Sequence, residues 1–419
     1  MYKFIGYHCS ICGATYSPNE VLYTCPLDGG NLDVVLDYNK ISKLIRPEQL
    51  YASQEFSLWR YLPILPVSDP GGVDTPIRAA GWTPVYRLLE LSEQLGLDSL
   101  WVKDESRNPT ASLKDRASAV VIAKAREIGV EVVVTASTGN AGAALAGMAA
   151  AIGQKAVIFA PHTAPPAKIA QLLIYGATVY LVDGTYDDAF DLTIQASNEF
   201  GWYCRNTGYN PFTAEGKKTA AFEIWEWLVV SKNRLKTPLS IFVSVGDGNI
   251  ISGLHKGFKD LFQLGWLDTM PRIFGVQAEG SAAIANAFLA GSEEIIPVTA
   301  HTIADSISVD LPRDGVRAVR AARETGGGYF IVSDHEILSA MAELGRFGIF
   351  AEPAGATSHA GLVKAVKAGI IKSHDQVLVI NTGCGLKDIH AALQAVKEPI
   401  IIEPSLDALK KAILRIGRS

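Results

Sequence analysis

The sequence has no excess of positive charge and no long apolar run. It contains 38 Lys and Arg against 43 Asp and Glu, for a net charge of −5, so nothing in its charge favours nucleic-acid binding. No apolar run approaches the roughly 18 residues of a membrane span. The first residues lack the apolar core of a signal peptide. We therefore expect a cytoplasmic protein that binds neither nucleic acid nor a membrane.

Cysteine is also scarce, yet three of the five cysteines fall within the first 25 residues. Cys9 and Cys12 form a Cys-x2-Cys pair, and Cys25 follows after a short polar stretch. In a reducing compartment such a pattern indicates structural zinc rather than a disulfide. A fourth cysteine is missing, and Asp28 or His8 could complete the set. The alternative is a metal-free remnant packed on the first domain, and the sequence leaves both open.

The chain is long and apolar enough for two domains and an appendage, with 419 residues of which 48% are hydrophobic. Apolar runs typical of buried parallel strands cover residues 156–160, 178–182, 239–245, 273–277 and 377–380. Helices are predicted over residues 167–175, 186–200 and 215–230. This alternation predicts a doubly wound α/β fold.

One lysine stands in an unusual turn. Residues 108–116 read N-P-T-A-S-L-K-D-R and place Lys114 just before a helix predicted over 117–128. A lysine in this position can form a Schiff base with an aldehyde cofactor. The alternative is a solvated lysine at a helix start, paired with Asp115.

Two glycine turns downstream favour the cofactor. Residues 137–140 (S-T-G-N) and 246–249 (G-D-G-N) each lie between an apolar strand and a predicted helix, 141–152 and 250–264 respectively. A turn of this kind offers free N–H groups and the positive end of a helix to an anion. Together with the lysine turn, the two turns indicate a bound phosphorylated cofactor.

Six segments resemble the motifs of one family. They are 81–84 (G-W-T-P), 108–116, 137–142 (S-T-G-N-A-G), 246–250 (G-D-G-N-I), 352–356 (E-P-A-G-A) and 381–388 (N-T-G-C-G-L-K-D). In this order they resemble the threonine synthase-like family of pyridoxal-phosphate enzymes of fold type II. The resemblance covers roughly residues 80 to 390.

The resemblance implies a fold and a domain plan. It implies two doubly wound α/β domains with the cofactor in the cleft between them, and a homodimer. Residues 81–124 and 206–419 would form the large cofactor-binding domain, and residues 125–205 the small inserted domain. Residues 1–36 would form a zinc-ribbon-like appendage. The prolines and glycines that interrupt residues 37–80 predict an irregular arm there.

The resemblance also implies roles for matching residues. Lys114 would bind pyridoxal phosphate through a Schiff base and, once freed, move the α-proton of an amino-acid substrate. Asn140 would bond the ring hydroxyl of the cofactor. Thr382 would face the pyridine nitrogen and leave it largely unprotonated, which suits elimination and replacement better than transamination. The cofactor phosphate would be bound by Gly246, Asp247, Gly248, Asn249 and Ile250, and the substrate carboxylate by Ser137, Thr138 and Ala141.

Two departures from the family pattern concern the substrate. Thr213, a fourth candidate substrate-binding residue, stands where the family has an arginine for the phosphate of O-phosphohomoserine, and Asp247 stands where its loop has asparagine. Because a charge-assisted contact is stronger than a neutral one, these changes predict that O-phosphohomoserine is a poor substrate. Residues 302–306 (T-I-A-D-S) also resemble a segment of threonine and serine dehydratases.

The sequence therefore predicts an amino-acid lyase or synthase of threonine synthase type, acting at Cβ or Cγ. A dehydratase-like or β-replacing, cysteate synthase-like enzyme is the alternative. A binding protein that has lost catalysis is disfavoured because Lys114, Asn140 and Thr382 are all present. A dinucleotide-binding oxidoreductase is disfavoured because neither glycine turn gives G-x-G-x-x-G after a first strand.

Overall fold

The computed structural model describes residues 3–230 and 238–416. Strands run over Phe4–Cys9 (β1), Thr15–Tyr16 (β2), Leu32–Leu36 (β3), Val85–Arg87 (β4), Ser99–Asp104 (β5), Val132–Ala136 (β6), Lys155–Pro161 (β7), Thr178–Val182 (β8), Tyr203–Cys204 (β9), Ser240–Ser244 (β10), Arg272–Ala278 (β11), Gly328–Val332 (β12) and Gln376–Asn381 (β13). They form three sheets, of orders β2-β1-β3, β12-β11-β10-β13-β5-β4 and β8-β7-β6-β9.

Helices connect and flank the strands. They run over Tyr38–Leu44 (α1), Pro47–Tyr51 (α2), Leu89–Gln94 (α3), Lys114–Glu127 (α4), Asn140–Ala150 (α5), Pro166–Ile174 (α6), Tyr186–Phe200 (α7), Phe212–Lys217 (α8), Thr219–Val230 (α9), Asn249–Gln263 (α10), Ala283–Leu289 (α11), Gly315–Glu324 (α12), Asp334–Arg346 (α13), Pro353–Lys367 (α14), Ile389–Gln394 (α15) and Leu406–Ile416 (α16). Within the described ranges, no helix has the length and apolar character needed to cross a membrane.

The six-stranded sheet is parallel except for its edge strand β4, which is antiparallel to β5. Its central strands carry apolar residues on both faces. On β5, for example, Leu100 and Val102 join one buried cluster while Trp101 joins the other. This is the expected pattern for a parallel sheet that is covered by helices on both sides, so the predicted α/β fold is confirmed.

The carboxyl ends of the parallel strands bring the predicted motifs together. Strand β5 leads into the lysine turn, β13 ends at Asn381 and is followed by Thr382, and β10 is followed by the 246–249 turn. In the four-stranded sheet, β6 leads into residues 137–140. Ligands of open α/β sheets bind at this edge. The four-stranded sheet lies within residues 125–205, and the domain boundaries themselves stay a prediction.

Two sequence-based expectations about local structure were wrong. The helix predicted over 215–230 is divided into α8 and α9 at Lys218, whose buried ammonium group pairs with Asp260 (2.7 Å) and with Glu215. The arm predicted to be irregular contains α1, α2 and two short 3-10 helices. Polar side chains start such helices in spite of the nearby prolines: Asp37, for example, accepts a bond from the N–H of Lys40 (2.9 Å).

A buried ionic network, which we call the Arg116 network, anchors the lysine-bearing helix α4. The guanidinium of Arg116 bonds Glu105 (2.7 Å) and Glu223 (2.5 Å), and Lys103 also bonds Glu223 (2.8 Å). All four side chains are almost completely removed from solvent. The network joins β5, α4 and α9, and it therefore fixes the start of α4 against the large sheet.

Residues 3–36 pack tightly against the rest of the molecule. The ring of Phe4 lies 5.9 Å from that of Phe212, at the start of α8. The amide of Asn31 donates to the carbonyl oxygens of Gly208 and Arg313. We call this three-stranded segment the N-terminal sheet. Its contacts reach the loops that border the site described next.

Candidate active site

Lys114 is the first residue of α4, and its turn is fixed on both sides. The N–H of Leu113 donates to the Thr382 carbonyl (2.9 Å). The Asp115 carboxylate accepts bonds from the N–H (2.6 Å) and the hydroxyl of Thr110. Asp115 is thus engaged by the turn, which argues against the predicted alternative of a simple Lys114–Asp115 pair.

The Lys114 amino group lies in a pocket that favours its neutral form. Burial and then the nearby Arg205 lower the pKa of Lys114, against the opposing charges of Asp247 and Glu352. The neutral amine is the form that attacks an aldehyde.

The predicted cofactor residues come together around this lysine. One pocket is lined by residues that include Lys114, Asn140, Gly246, Asp247, Gly248, Asn249, Ile250 and Thr382. These residues come from four separate stretches of the chain.

The glycine turn before α10 is shaped for close approach. Gly248 has a φ of 90°, and a Cβ there would lie 2.6 Å from the Asp314 carbonyl oxygen. A Cβ on Gly246 would lie 2.8 Å from the Cα of Ile307. Only glycine fits both positions. The turn opens α10, whose first N–H groups have no partner within the helix and are available to an anion.

Sequence reasoning gave Lys217 no role in cofactor binding, yet this lysine reaches the same turn. Its fully buried amino group donates to the Asn249 side-chain oxygen and lines the pocket. Burial, and then Lys114 and Arg205, lower the pKa of Lys217 well below its ordinary value. A lysine beside a turn of free N–H groups suits a bound phosphate, whose negative charge would favour the protonated form of the amino group. The adjacent lysines of the E-G-K-K segment were the available sequence signal.

Asn140 and Glu352 form a buried pair that lines the same pocket. The Asn140 amide donates to the Glu352 carboxylate (2.7 Å) and also approaches the Ser306 hydroxyl (3.4 Å). Burial raises the pKa of Glu352, although the bond from Asn140 opposes this effect. Glu352 is the first residue of the 352–356 segment (E-P-A-G-A), and the sequence predicted no role for its side chain.

Thr382 lies at the end of β13 and lines the same pocket. Its hydroxyl is 3.5 Å from that of Ser244, at the end of β10. The resemblance assigns the contact with the pyridine nitrogen to Thr382. The structure places a second hydroxyl, that of Ser244, beside it.

A second cavity of about 570 Å³ adjoins the cofactor pocket and shares Lys114, Asn140 and Asp247 with it. The predicted substrate-binding residues Ser137, Thr138 and Ala141 line it. The cavity is also lined by residues for which the sequence predicted no role, among them Tyr186, Arg205, Thr207 and Arg313.

Asp247 and Thr213, the two departures from the family pattern, are both placed by the structure. The Asp247 carboxylate accepts a bond from the N–H of Arg313 (3.3 Å), and burial raises its pKa. The Thr213 hydroxyl is fully buried and bonds the Asn210 carbonyl (2.8 Å) and the Asn249 side chain (3.2 Å). Thr213 thus supports the glycine turn from behind. Its predicted contact to substrate stays a prediction.

The N-terminal cysteines also come together. One ligand atom each from Cys9, Cys12, Cys25 and Asp28 lies within 4.8 Å of the others. The sulfurs of Cys12 and Cys25 are 3.7 Å apart, and two sulfurs on a tetrahedral zinc ion would be about 3.8 Å apart. The fourth member of this group is Asp28.

The pocket around Lys114 fits pyridoxal phosphate. It offers an amine of lowered pKa, a turn that only glycine can form, and a buried amide at Asn140. The family model described as "Pyridoxal-phosphate dependent enzyme" matches residues 77–383. The chain belongs to this family. Pyridoxal phosphate is accordingly its cofactor, and Lys114 would hold it.

Comparison with relatives assigns the chain to one type of enzyme within this family. The chain is 40% identical over 408 residues to a threonine synthase of Methanocaldococcus jannaschii, covering 97% of this chain and 98% of the relative. It is 39% identical over 413 residues to a threonine synthase of Methanosarcina acetivorans, covering 97% and 98%. The chain is therefore a pyridoxal-phosphate-dependent lyase of threonine synthase type.

Solved structures agree on the fold. A processed threonine deaminase isoform 2 from Solanum lycopersicum superposes with a TM-score of 0.63 at 21% identity, covering 91% of this chain and 90% of that one. A diaminopropionate ammonia lyase from Escherichia coli gives 0.65 at 20% identity, covering 85% and 92%. At this identity the likeness concerns the fold alone.

The arrangement suits proton transfer next to a bound amino acid. Pyridoxal phosphate, when bound, acts as an electron sink that acidifies the α-proton of an amino acid. Lys114 lines both cavities. Its neutral amine can take up that proton, and the resulting ammonium group can return it. The N–H groups at the start of α5, beside Ser137 and Thr138, can orient the substrate carboxylate.

Proposed function

We propose that this enzyme is a threonine synthase, which converts O-phosphohomoserine and water into threonine and inorganic phosphate. The observation that carries the proposal is the continuity of the cofactor pocket with the 570 Å³ cavity. Lys114, Asn140 and Asp247 line both spaces. The relatives named threonine synthase support it because they match nearly the whole length of the chain.

The dehydratase-like and β-replacing alternatives are not favoured by the comparisons. The threonine deaminase structure is only 21% identical in sequence to this chain, so the match supports the fold and not the activity. The resemblance of residues 302–306 to dehydratases is confined to one short segment.

The test is a product analysis with the purified holoenzyme. We expect threonine and phosphate in equal amounts from O-phosphohomoserine, and little oxo acid from serine or threonine. Oxo acid formation from serine or threonine, without phosphate release from O-phosphohomoserine, would instead assign the enzyme to the dehydratases.

We further propose that Cys9, Cys12, Cys25 and Asp28 hold one structural zinc ion. The spacing of their ligand atoms supports this. Elemental analysis of protein purified without chelators should give one zinc per chain, and Cys25→Ser should lower both the zinc content and Tm. A zinc-free protein whose Tm is unchanged by Cys25→Ser would identify the segment as a metal-free remnant.

The homodimer and the cytoplasmic location are proposals based on the sequence resemblance and on composition. Analytical ultracentrifugation and cell fractionation are the corresponding measurements. A monomer in solution, or recovery with the membranes, would contradict them.

A further inference from the structure

Arg205 is a buried cation that forms no ion pair with a carboxylate in the described part of the chain. It follows β9, and its side chain is completely removed from solvent. Its Nε donates to the Ser118 hydroxyl (3.2 Å) and its Nη1 to the Thr207 hydroxyl (2.7 Å). Its Nη2 is buried and has no hydrogen-bond partner in the described part of the chain. No ion pair joins this guanidinium to a carboxylate among the described residues.

Other buried arginines of this protein differ. Arg60 pairs with Glu226 (2.6 Å), Arg116 with Glu105 (2.7 Å), and Arg317 with Asp314 (2.6 Å). A buried charge with no partner is strongly destabilising. Burial indeed lowers the pKa of Arg205 to about 10. The fold therefore retains at Arg205 a buried charge that no ion pair compensates among the described residues, as expected of a residue that binds a ligand anion.

Arg205 lines the 570 Å³ cavity beside Lys114. The carboxylates that line this cavity are already engaged elsewhere. Asp187 pairs with Arg313 (3.3 Å) and Asp305 with Lys168 (2.6 Å). The remaining two accept backbone N–H bonds: Asp247 from Arg313 (3.3 Å) and Asp310 from Ala300 (2.7 Å). The unpaired guanidinium is thus left for an incoming anion.

We propose that Arg205 binds the phosphate of a phosphorylated amino-acid substrate and so determines the specificity of the enzyme. This inference rests on the proposed function. It reverses the expectation drawn from Thr213, because a cation is supplied eight residues earlier in the chain. Thr207, whose hydroxyl Arg205 holds, and Arg313 at the cavity rim stand beside the same space.

The physical basis is the geometry of the guanidinium group. An arginine presents parallel N–H donors that match two oxygens of a phosphate, and such charge-assisted bonds are stronger than neutral ones. A bound phosphate would give Nη2 its missing acceptor and Arg205 its missing counter-charge. A neutral leaving group would supply neither.

The test compares Arg205→Met and Arg205→Lys with the wild-type holoenzyme. We expect kcat/KM for O-phosphohomoserine to fall about tenfold to a hundredfold in Arg205→Met, with a smaller loss in Arg205→Lys. The affinity for inorganic phosphate, measured by calorimetry, should fall in parallel. Arg126→Met, which removes an exposed arginine of α4, is the matched control and should change neither value.

The cofactor also carries a phosphate, so its binding is measured separately. Titration of each apo variant with pyridoxal phosphate should give the wild-type dissociation constant. A loss of cofactor affinity in Arg205→Lys would assign Arg205 to the cofactor and overturn the inference. Wild-type values of kcat/KM and of phosphate affinity in both variants would also overturn it.

The calorimetric measurement keeps this inference distinct from the proposed function. If the wild-type enzyme released no phosphate from O-phosphohomoserine, the proposed function would fail. Phosphate binding that depends on Arg205 would still support an anion site there, whereas phosphate binding equal in all variants would contradict it. Thermal unfolding of each variant identifies a loss of folding. If Arg205→Met does not fold, the comparison of Arg205→Lys with the wild type tests the inference.

Discussion

At the scale of single residues, we expect the chemistry to depend on Lys114 and on its neutral amine. We expect Lys114→Ala to lower turnover by at least about 10²–10⁴-fold, because both the covalent attachment of the cofactor and the proton transfer are lost. The visible absorbance of the lysine-bound cofactor should disappear as well. Borohydride reduction followed by peptide mass analysis of the wild type should place the label on Lys114. Turnover at the wild-type rate in the variant would exclude this lysine.

Asp247 allows a second prediction at this scale. Its carboxylate accepts a bond from the N–H of Arg313, so it can leave the N–H groups of the turn free for the cofactor phosphate. We expect Asp247→Asn to leave the dissociation constant of pyridoxal phosphate unchanged or lower, because a negative charge near the phosphate is removed. Fluorescence titration of the apo variant measures it. A large loss of affinity would show that the carboxylate itself contributes to binding.

The residues predicted to bind the cofactor lie together in one pocket, but the sequence did not indicate Lys217 in that pocket or Arg205 in the adjoining cavity. Motif spacing reports residues that a turn or a strand end must carry, such as Asn140 and Thr382. It does not report which charged side chain the fold removes from water. The loss of an arginine at Thr213 was visible in the sequence, whereas the position of Arg205 in the cavity required the three-dimensional structure.

At the scale of elements, the lysine turn holds its shape at some cost. Ala111 has a φ of 64°, in the left-handed region. In this region a non-glycine residue raises the free energy of the folded state by about 1–2 kcal/mol. Replacement by glycine removes this strain, but the greater freedom of glycine in the unfolded chain offsets about 0.5–1 kcal/mol of the gain. We therefore expect Ala111→Gly to stabilise the protein by up to about 1.5 kcal/mol.

Urea unfolding of the wild type and Ala111→Gly would measure this difference. Gly129→Ala serves as the opposite control, because Gly129 has a φ of 73° and nothing within 4 Å of a Cβ. That substitution should destabilise the protein through the backbone alone. A marked loss of stability in Ala111→Gly would show that the alanine methyl group makes a compensating contact.

Element types were easier to predict than element boundaries. The strands of the large sheet were visible as continuous apolar runs, since both of their faces are buried. The sequence predicts that α4 begins at residue 117, whereas it begins at Lys114. The difference arises because Asp115 and Arg116 are polar residues that the fold nevertheless buries. The division between α8 and α9 depends on the buried Lys218, which the apolar pattern does not show.

At the scale of the whole molecule, the Arg116 network links stability to pH. Burial would raise the pKa of Glu223, but Arg116 and Lys103 outweigh it and lower the pKa to about 2. A depressed pKa means that the folded state binds the proton less tightly than the unfolded state. The stabilising contribution is therefore complete above the ordinary glutamate value of 4.5 and is lost as the pH falls towards 2.

We expect Glu223→Gln to lower the free energy of unfolding at pH 7 by about 3–5 kcal/mol, because Arg116 and Lys103 lose a buried partner. The variant should also lose less of its remaining stability than the wild type between pH 4.5 and pH 3. Denaturant unfolding over this pH range measures both effects. An equal acid sensitivity in the two proteins would contradict the assignment to Glu223.

The N-terminal sheet is bound to the catalytic part of the molecule through Phe4, which packs on Phe212, and Asn31, which bonds Gly208 and Arg313. It is therefore not an exchangeable module. A chimera that carried the corresponding segment of a relative would lose this fit unless Phe212 and the loops at Gly208 and Arg313 were exchanged with it. Recombination between relatives should accordingly preserve these distant stretches of sequence as one inherited unit.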